Sequence, residues 1–199
     1  QERQWFLWQL EPHSAAYHIP SALRLKGQLD CTALQRSLDA LLARHESLRT
    51  HLRQERDRTV QVIEPQVSLP IACADVDERA LKARVEAEIA QPFDLQHGPL
   101  LRVTLLRLAE DEHVLVLVQH HIVSDGWSMQ LMVEELVQLY AAFSQGQTLE
   151  LPALPIQYAD YAVWQRNWMD AGEKARQLAY WRDMLDGEQT VLQLPFDQI

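Results

Sequence analysis

The spacing of apolar positions changes several times along this chain, and each change marks a different element. Gln1 to Leu10 forms an amphipathic segment that opens abruptly, which reads as an artificial boundary rather than a natural start. Tyr17 to Leu25 reads as a strand. Pro20 confines its pairing to an edge or an irregularity, because proline has no N–H to give to a ladder. Asp30 offers a helix cap, and Leu34, Leu38, Leu41 and Leu42 share one face of a helix ending near His45. Ser47 to Arg53 and Val60 to Ile63 read as strands joined by a charged turn. A second helix starts near Glu78, with Leu81, Val85 and Ile89 at spacing four.

The most informative stretch follows Pro99. Leu101, Val103 and Leu105 alternate with Arg102, Thr104 and Leu106, which is strand periodicity. A turn at Ala109 to Glu112 leads into the unbroken run Val114, Leu115, Val116, Leu117 and Val118, which suits a strand buried on both faces. That run ends at His120 and His121. After a short polar loop, Met129, Met132, Val133, Leu136, Leu139, Tyr140 and Phe143 lie at helical spacing. Beyond Pro155, Tyr158, Tyr161, Trp164 and Trp168 mark one aromatic-rich segment, and Tyr180, Trp181 and Leu185 mark another. Trp127 and the Tyr158 to Trp168 stripe are expected in the core. Strands alternating with helices predict an α/β (α+β) two-layer sandwich, a mixed β-sheet covered by helices.

Composition narrows the function classes. A length of 199 residues with 47% hydrophobic and 23% charged positions is that of a soluble globular domain, or of one lobe of a larger one. A formal net charge of −10 argues against nucleic acid as a partner, since phosphate binding needs clustered Lys and Arg. The arginines from Arg53 to Arg58 are interleaved with acids and read as a solvated face. Nothing approaches the ~20 consecutive apolar residues of a membrane span, and no basic-then-apolar leader opens the chain. Cys31 and Cys73 fit neither a zinc pattern nor a disulfide framework, so they read as reduced thiols in a cytoplasmic protein.

The candidate chemistry sits in the loop after the apolar run. Successive strand residues face opposite ways, so His120 and His121 cannot both enter one cavity while the strand persists. One imidazole is free to serve as a base near neutral pH while the other packs inside. Asp125 suits three tasks: orienting an imidazole, binding a cation, or holding the loop through an arginine. Gly126 permits backbone angles that other residues resist, and Ser128 offers a cap for the following helix. Spacing alone leaves a catalytic pair, a structural pair and a metal site open. Vicinal strand histidines diverge, and no further ligand follows at a useful spacing, which counts against the metal. Ser124 lacks the strand-turn-helix setting of a nucleophile elbow.

The run His120-His121-Ile122-Val123-Ser124-Asp125-Gly126-Trp127-Ser128 resembles the HHxxxDG motif of nonribosomal peptide synthetase condensation domains. Gln1, Arg3, Trp5 and Leu7 resemble the latter part of that family's SxAQxRxWxL motif. Arg44 to Thr50 resembles RHExLRTxF, with Leu52 where the family usually has Phe, and Tyr158 to Ala162 resembles YxDYA. Gln177 to Trp181, with Leu194 and Pro195, is similar to the next stretch of the family, so the resemblance covers essentially the whole chain.

The resemblance implies a lobe similar to chloramphenicol acetyltransferase. Residues 1–175 would form the amino-terminal lobe and residues 176–199 a helix and the start of the interlobe region, with the carboxy-terminal lobe absent. It implies that His121 faces a tunnel between lobes, where a carrier-bound acceptor amine attacks a carrier-bound donor thioester. His120, Asp125 and Gly126 complete the catalytic motif. Asp125 is expected to pair with an arginine, Arg49 rather than Arg44, so that Asp125→Ala would harm folding at least as much as chemistry. Gly126 is expected to let the loop pass close to the reacting thioester. No cofactor or metal is expected on this chain, the substrates arriving on phosphopantetheine arms. The implied partners are donor and acceptor peptidyl carrier proteins, the missing lobe and neighbouring synthetase domains. Alone, the chain is expected to be inactive and to expose an apolar face where the second lobe belongs. The Ser124 and Trp127-Ser128 flank points to the type accepting an L-configured donor. Two alternatives remain: another HHxxxD acyltransferase of the same superfamily, and a non-catalytic module that docks carrier proteins.

Overall fold

In the computed structural model, which describes residues 1–56 and 58–187, twelve regular elements carry the argument. They are α1 (Glu2–Leu10), β1 (His18–Lys26), α2 (Cys31–Arg44), β2 (Thr50–Glu55), β3 (Arg58–Ile63), β4 (Ala72–Asp75), α3 (Glu78–Ala90), β5 (Leu101–Ala109), β6 (Glu112–His120), α4 (Gly126–Phe143), α5 (Tyr158–Trp168) and α6 (Lys174–Leu185). Chain contacts group them into two units, Gln1–Ala159 and Asp160–Ile199. The division precedes the boundary read from the sequence between residues 175 and 176, a point that lies inside α6.

The first unit is built on a mixed sheet of order β1-β6-β5-β4. β5 and β6 form an antiparallel hairpin, β1 pairs antiparallel with β6, and β4 pairs parallel with β5. β1 lies at the sheet's edge, where Pro20, opposite Val118, leaves no neighbouring strand short of a donor. β2 and β3 form a separate two-stranded ribbon.

β6 is buried on both faces, as its unbroken apolar run requires. Leu115 and Leu117 join Leu101, Val103 and Leu105 of β5 against α2 and α4, meeting Leu38, Leu41, Met132 and Leu136. Val114, Val116 and Val118 face the other way, toward Trp5, Phe93, Leu95 and the α3 residues Leu81, Val85 and Ile89. The mixed sheet covered by helices is therefore the one that the periodicities predict, with helices on both of its faces. A Leu117→Ala change in such a core costs about 2–5 kcal/mol.

Local signals place the helices. Asp30 caps α2 by accepting a hydrogen bond from Ala33 N–H at 2.9 Å, and Asp77 caps α3 through Ala80 N–H at 2.8 Å. Several expectations are corrected. Glu46–Arg49 forms a 3-10 turn, so the strand expected from Ser47 begins at Thr50. β4 is not evident from the pattern, being four residues long and mostly exposed. Trp127, expected in the core, is 82% exposed, and Tyr158, Tyr161, Trp164 and Trp168 are also exposed in this chain.

In the second unit, Trp164 and Trp168 stack at 5.6 Å between ring centroids. The helical path kinks at Gly172, whose φ of 117° suits glycine and few other residues. No helix among the described residues is long and apolar enough to cross a membrane. Leu194 and Pro195 lie outside the described residues.

Candidate functional site

The site forms where β6 ends and α4 begins. The two residues at the close of the strand are pinned from opposite sides. His120 N–H donates to Leu100 O at 3.0 Å, and His121 N–H donates to Tyr17 O at 2.8 Å. Strand alternation then separates neighbouring side chains. Gln119 turns toward α4, where its Nε2 donates to the Met132 sulfur at 3.2 Å. His120 enters the opposite face, and His121, just past the strand, is exposed.

His120 is only 3% exposed. Its ring lies 6.2 Å from Tyr17, 6.0 Å from His18 and 6.2 Å from Phe93, centroid to centroid. Its Nδ1 accepts a hydrogen bond from Ile122 N–H at 3.1 Å. Burial, reinforced by the neighbouring His18 and His121, pushes its pKa down to about 4. His120 is therefore neutral near pH 7 and holds the turn that follows it. His18 is also pushed below the ordinary histidine value, first by burial, although its Nδ1 donates to Ile89 O at 2.6 Å.

Asp125 is the N-cap of α4. Its Oδ1 accepts from Ser128 N–H at 2.8 Å, and its carbonyl accepts from Met129 N–H at 2.9 Å. Hydrogen bonds from Ser128 hold its carboxyl below the usual carboxylate range, and the His121 imidazole adds to the effect. His121 and Asp125 thus share one electrostatic neighbourhood at the same end of the sheet. Asp125, not Ser128, caps the helix. Gly126 is the first helical residue and has no left-handed φ, and a Cβ there would meet nothing within 4 Å. The backbone freedom expected of this glycine is not used in this chain.

Neither arginine meets Asp125, which corrects the expected pairing. Arg49 donates through Nε to Leu42 O at 3.2 Å and through its terminal nitrogen to Glu64 O, and it lies 3.7 Å from Glu46. Arg44 donates through Nε to Glu135 Oε1 at 3.2 Å and reaches Pro152 O at 2.6 Å. His45 meets the other Glu135 oxygen at 2.6 Å. The reason is local supply. Free amides at a helix N-terminus already give Asp125 its positive partner. The arginines go instead to carbonyl oxygens and to a buried acid. Sequence reasoning misses Glu135, though an acid on the buried stripe of Met132, Leu136 and Leu139 signals a cation opposite.

His120, His121, Asp125 and Gly126 therefore share the junction of β6 and α4, with His121 and Asp125 near one another and the His120 ring buried on the other face, while Arg49 and Arg44 brace the segment joining α2 to β2. Among the described residues, no group of three or more His, Cys, Asp or Glu is arranged to hold a metal ion. The chemistry on offer is an exposed imidazole on a backbone fixed by β1 and β6.

Comparison with known proteins gives a consistent picture. The condensation-domain family profile matches residues 1–199. Chondramide synthase of Chondromyces crocatus is 46% identical over 204 residues, a match covering 99% of this chain and 5% of that protein. Malpibaldin synthetase of Mortierella alpina is 45% identical over 204 residues, covering 100% of this chain and 4% of that protein. The X-domain from teicoplanin biosynthesis is similar in structure, with a TM-score of 0.86 and 34% identity over 99% of this chain and 45% of its own. That X-domain is also solved in complex with OxyB. The starter condensation domain of rhizomide synthetase shares the fold, with a TM-score of 0.85 at 22% identity over 94% of this chain and 47% of its own. The chain thus spans a few per cent of these synthetases and under half of these solved domains.

Proposed function

The chain belongs to the condensation-domain family, and from that membership we propose that it supplies the motif-bearing lobe of a nonribosomal peptide synthetase domain that forms peptide bonds. In the proposed reaction, a carrier-bound acceptor amine attacks the carbonyl of a carrier-bound donor thioester. The C–N bond forms, the C–S bond breaks, and the departing thiolate takes up the proton released by the amine. Both substrates would arrive on phosphopantetheine arms of peptidyl carrier proteins from neighbouring synthetase domains. The observation that carries this reading is the exposed His121 imidazole at the rigid end of β6, with Asp125 beside it.

His121 would accept the amine proton or hold the amine by a hydrogen bond. General-base assistance of this kind contributes about 10²–10⁴-fold in rate, and alignment of two tethered reactants supplies the remainder. The second wall of the site would come from a carboxy-terminal lobe, consistent with the chain matching only 45% of the X-domain's length. Alone, the chain is expected to be inactive.

The test joins the chain to a carboxy-terminal condensation lobe and supplies both loaded carriers. Dipeptidyl thioester is then followed by mass spectrometry for the native domain and for His121→Ala. Product from the native domain, lost in a folded variant, supports both reaction and residue. Equal product from both removes His121 from the chemistry.

A second reading, a docking module without catalysis, draws support from the X-domain's complex with OxyB. It requires carrier or enzyme capture that survives His121→Ala, with no turnover in the two-lobed domain.

A further inference from the structure

A cavity of about 100 Å³ lies beside the motif loop, on the side of β6 to which Gln119 turns, between the start of α4 and the turn that follows α2. The His120 ring is buried on the opposite face and takes no part in it. Leu48, Gln119 and Met132 are buried and form its floor, while Ser128 and Leu131 are exposed and form its rim, so the cavity is open at that end. Ser128 bonds to Asp125 through both its N–H and its hydroxyl, and Asp125 shares the electrostatic neighbourhood of His121. The rim therefore adjoins the end of the motif that carries the exposed imidazole.

Gln119 gives this cavity its chemistry. The residue is only 1% exposed, and its Oε1 has no hydrogen-bond partner among the described residues. Its Nε2 donates to the sulfur of Met132, another floor residue. A thioether accepts and cannot donate, which fixes the amide nitrogen there and leaves the oxygen for some other group. A buried acceptor in that state is costly unless a ligand or water brings it a donor. The Ser47 and Ser124 hydroxyls line the same space, and His45 is held at its wall by Glu135 at 2.6 Å. Glu135 is already met by Arg44 and His45, and Asp125 by the Ser128 N–H, so the cavity suits a neutral donor rather than a cation. A water molecule takes up ~30 Å³, so the space holds about three waters or one short side chain.

We propose that this cavity is a subsite for a short hydroxyl-bearing side chain, of the seryl kind, on a carrier-bound aminoacyl group. The hydroxyl enters past Ser128 and Leu131, donates to Gln119 Oε1 and accepts from a serine hydroxyl of the wall. A hydroxyl is the smallest neutral group that both gives and accepts a hydrogen bond, which matches the lining and the volume. The reacting amine or thioester carbonyl stays outside the rim, toward His121, so the subsite and the chemistry use the same end of β6 without competing for one group. The substrate assignment rests on the condensation reading.

Two measurements test the subsite. The first follows the Met132 methyl resonance and the Gln119 side-chain amide by NMR while the N-acetylseryl thioester of N-acetylcysteamine is added to the chain. A saturable shift of both, absent with the N-acetylalanyl thioester, supports the site. The Met132 shift should be lost in Gln119→Met, which keeps the shape and removes the acceptor, and both shifts in Leu131→Trp, which closes the rim and leaves Gln119 in place. No shift, the same shift with the alanyl probe, or a shift that survives Leu131→Trp overturns it, water then being the only group that meets Oε1. The second measurement uses the two-lobed domain and compares seryl with alanyl substrates, varied in the donor in one arm and in the acceptor in the other. Gln119→Met is expected to lower the seryl-to-alanyl turnover ratio by about tenfold in the arm that uses the cavity. Ratios unchanged in both arms overturn the subsite. If the native domain forms no dipeptide with any pair, the condensation reading fails along with the substrate named here, and the titration alone then supports or overturns the cavity.

Discussion

His120 and His121 differ by one position in the chain, yet their surroundings assign them opposite work. His120 refuses a proton in the fold that it accepts once unfolded, because burial lowers its pKa from the ordinary 6.5 to about 4. Above pH 6.5 both states are neutral and the group contributes no pH dependence. As pH falls from 6.5 toward 4, the unfolded chain alone gains the proton, so stability drops, by up to about 3 kcal/mol, and levels off below pH 4. His18, shifted in the same direction, adds to the slope. Denaturant midpoints measured across this range should fall for the native chain and change less for His120→Leu. His121→Ala, at an exposed site, is expected to alter stability by no more than about 0.5 kcal/mol while abolishing turnover in the two-lobed domain. Gly126→Ala should leave the chain as stable or slightly more so, since Ala is the better helix former and the added Cβ meets no atom. A loss of turnover in that variant would show that substrate or the second lobe occupies the space.

At the scale of elements, Asp125 and Glu135 exchange the roles that an arginine partner had implied. Asp125 is a helix cap, so Asp125→Ala should cost about 1 kcal/mol in denaturant unfolding, and Asp125→Asn close to nothing. A broken buried ion pair would cost about 3–5 kcal/mol, and that loss belongs instead to Glu135→Ala, which strands Arg44 and His45 together. The Asp125 carboxyl lies below its ordinary range. Its contribution is therefore present above the unfolded-state pKa and is lost as pH falls through the lower folded value. Helix and strand positions were legible because capping and periodicity are local: Asp30 ahead of a leucine stripe, or five apolar residues ending in two histidines. The 3-10 turn at Glu46–Arg49 was not, since Ser47-Leu48-Arg49 alternates like a strand, while the turn is closed by Leu48 N–H to His45 O and by the Thr50 hydroxyl to Glu46 O.

For the whole molecule, the exposed aromatics of α5 and α6 carry the consequence. Trp164, Trp168, Tyr180 and Trp181 each show large apolar surface, together with Met184 and Leu185. Soluble monomers rarely tolerate contiguous apolar patches beyond a few hundred Å². The chain is therefore expected to self-associate in sedimentation velocity at micromolar concentration. Trp164→Glu combined with Trp181→Glu should shift it toward monomer without altering the β1 to α4 fold. Joining a second lobe should suppress association if that lobe covers these helices.

Most of the elements, the mixed sheet and the motif were readable from the chain alone, because each is written in neighbouring residues and read by period, cap or spacing, whereas the short exposed β4 and the 3-10 turn were not. The sequence also separated the two histidines, since strand alternation sends adjacent side chains to opposite faces. Which of the two is buried, who partners Asp125, and where Arg44, Arg49 and Glu135 meet were decided only by tertiary structure. The placing of His121 against Tyr17 and of Arg44 against Glu135 joins residues far apart in the chain, while Asp125 and Arg49 took nearer groups, Ser128 N–H and the Leu42 and Glu64 carbonyls, that the pattern does not single out. The exposure of Trp127 and the α5 aromatics was decided there too, because an aromatic stripe looks alike whether its face meets a core, a partner or water.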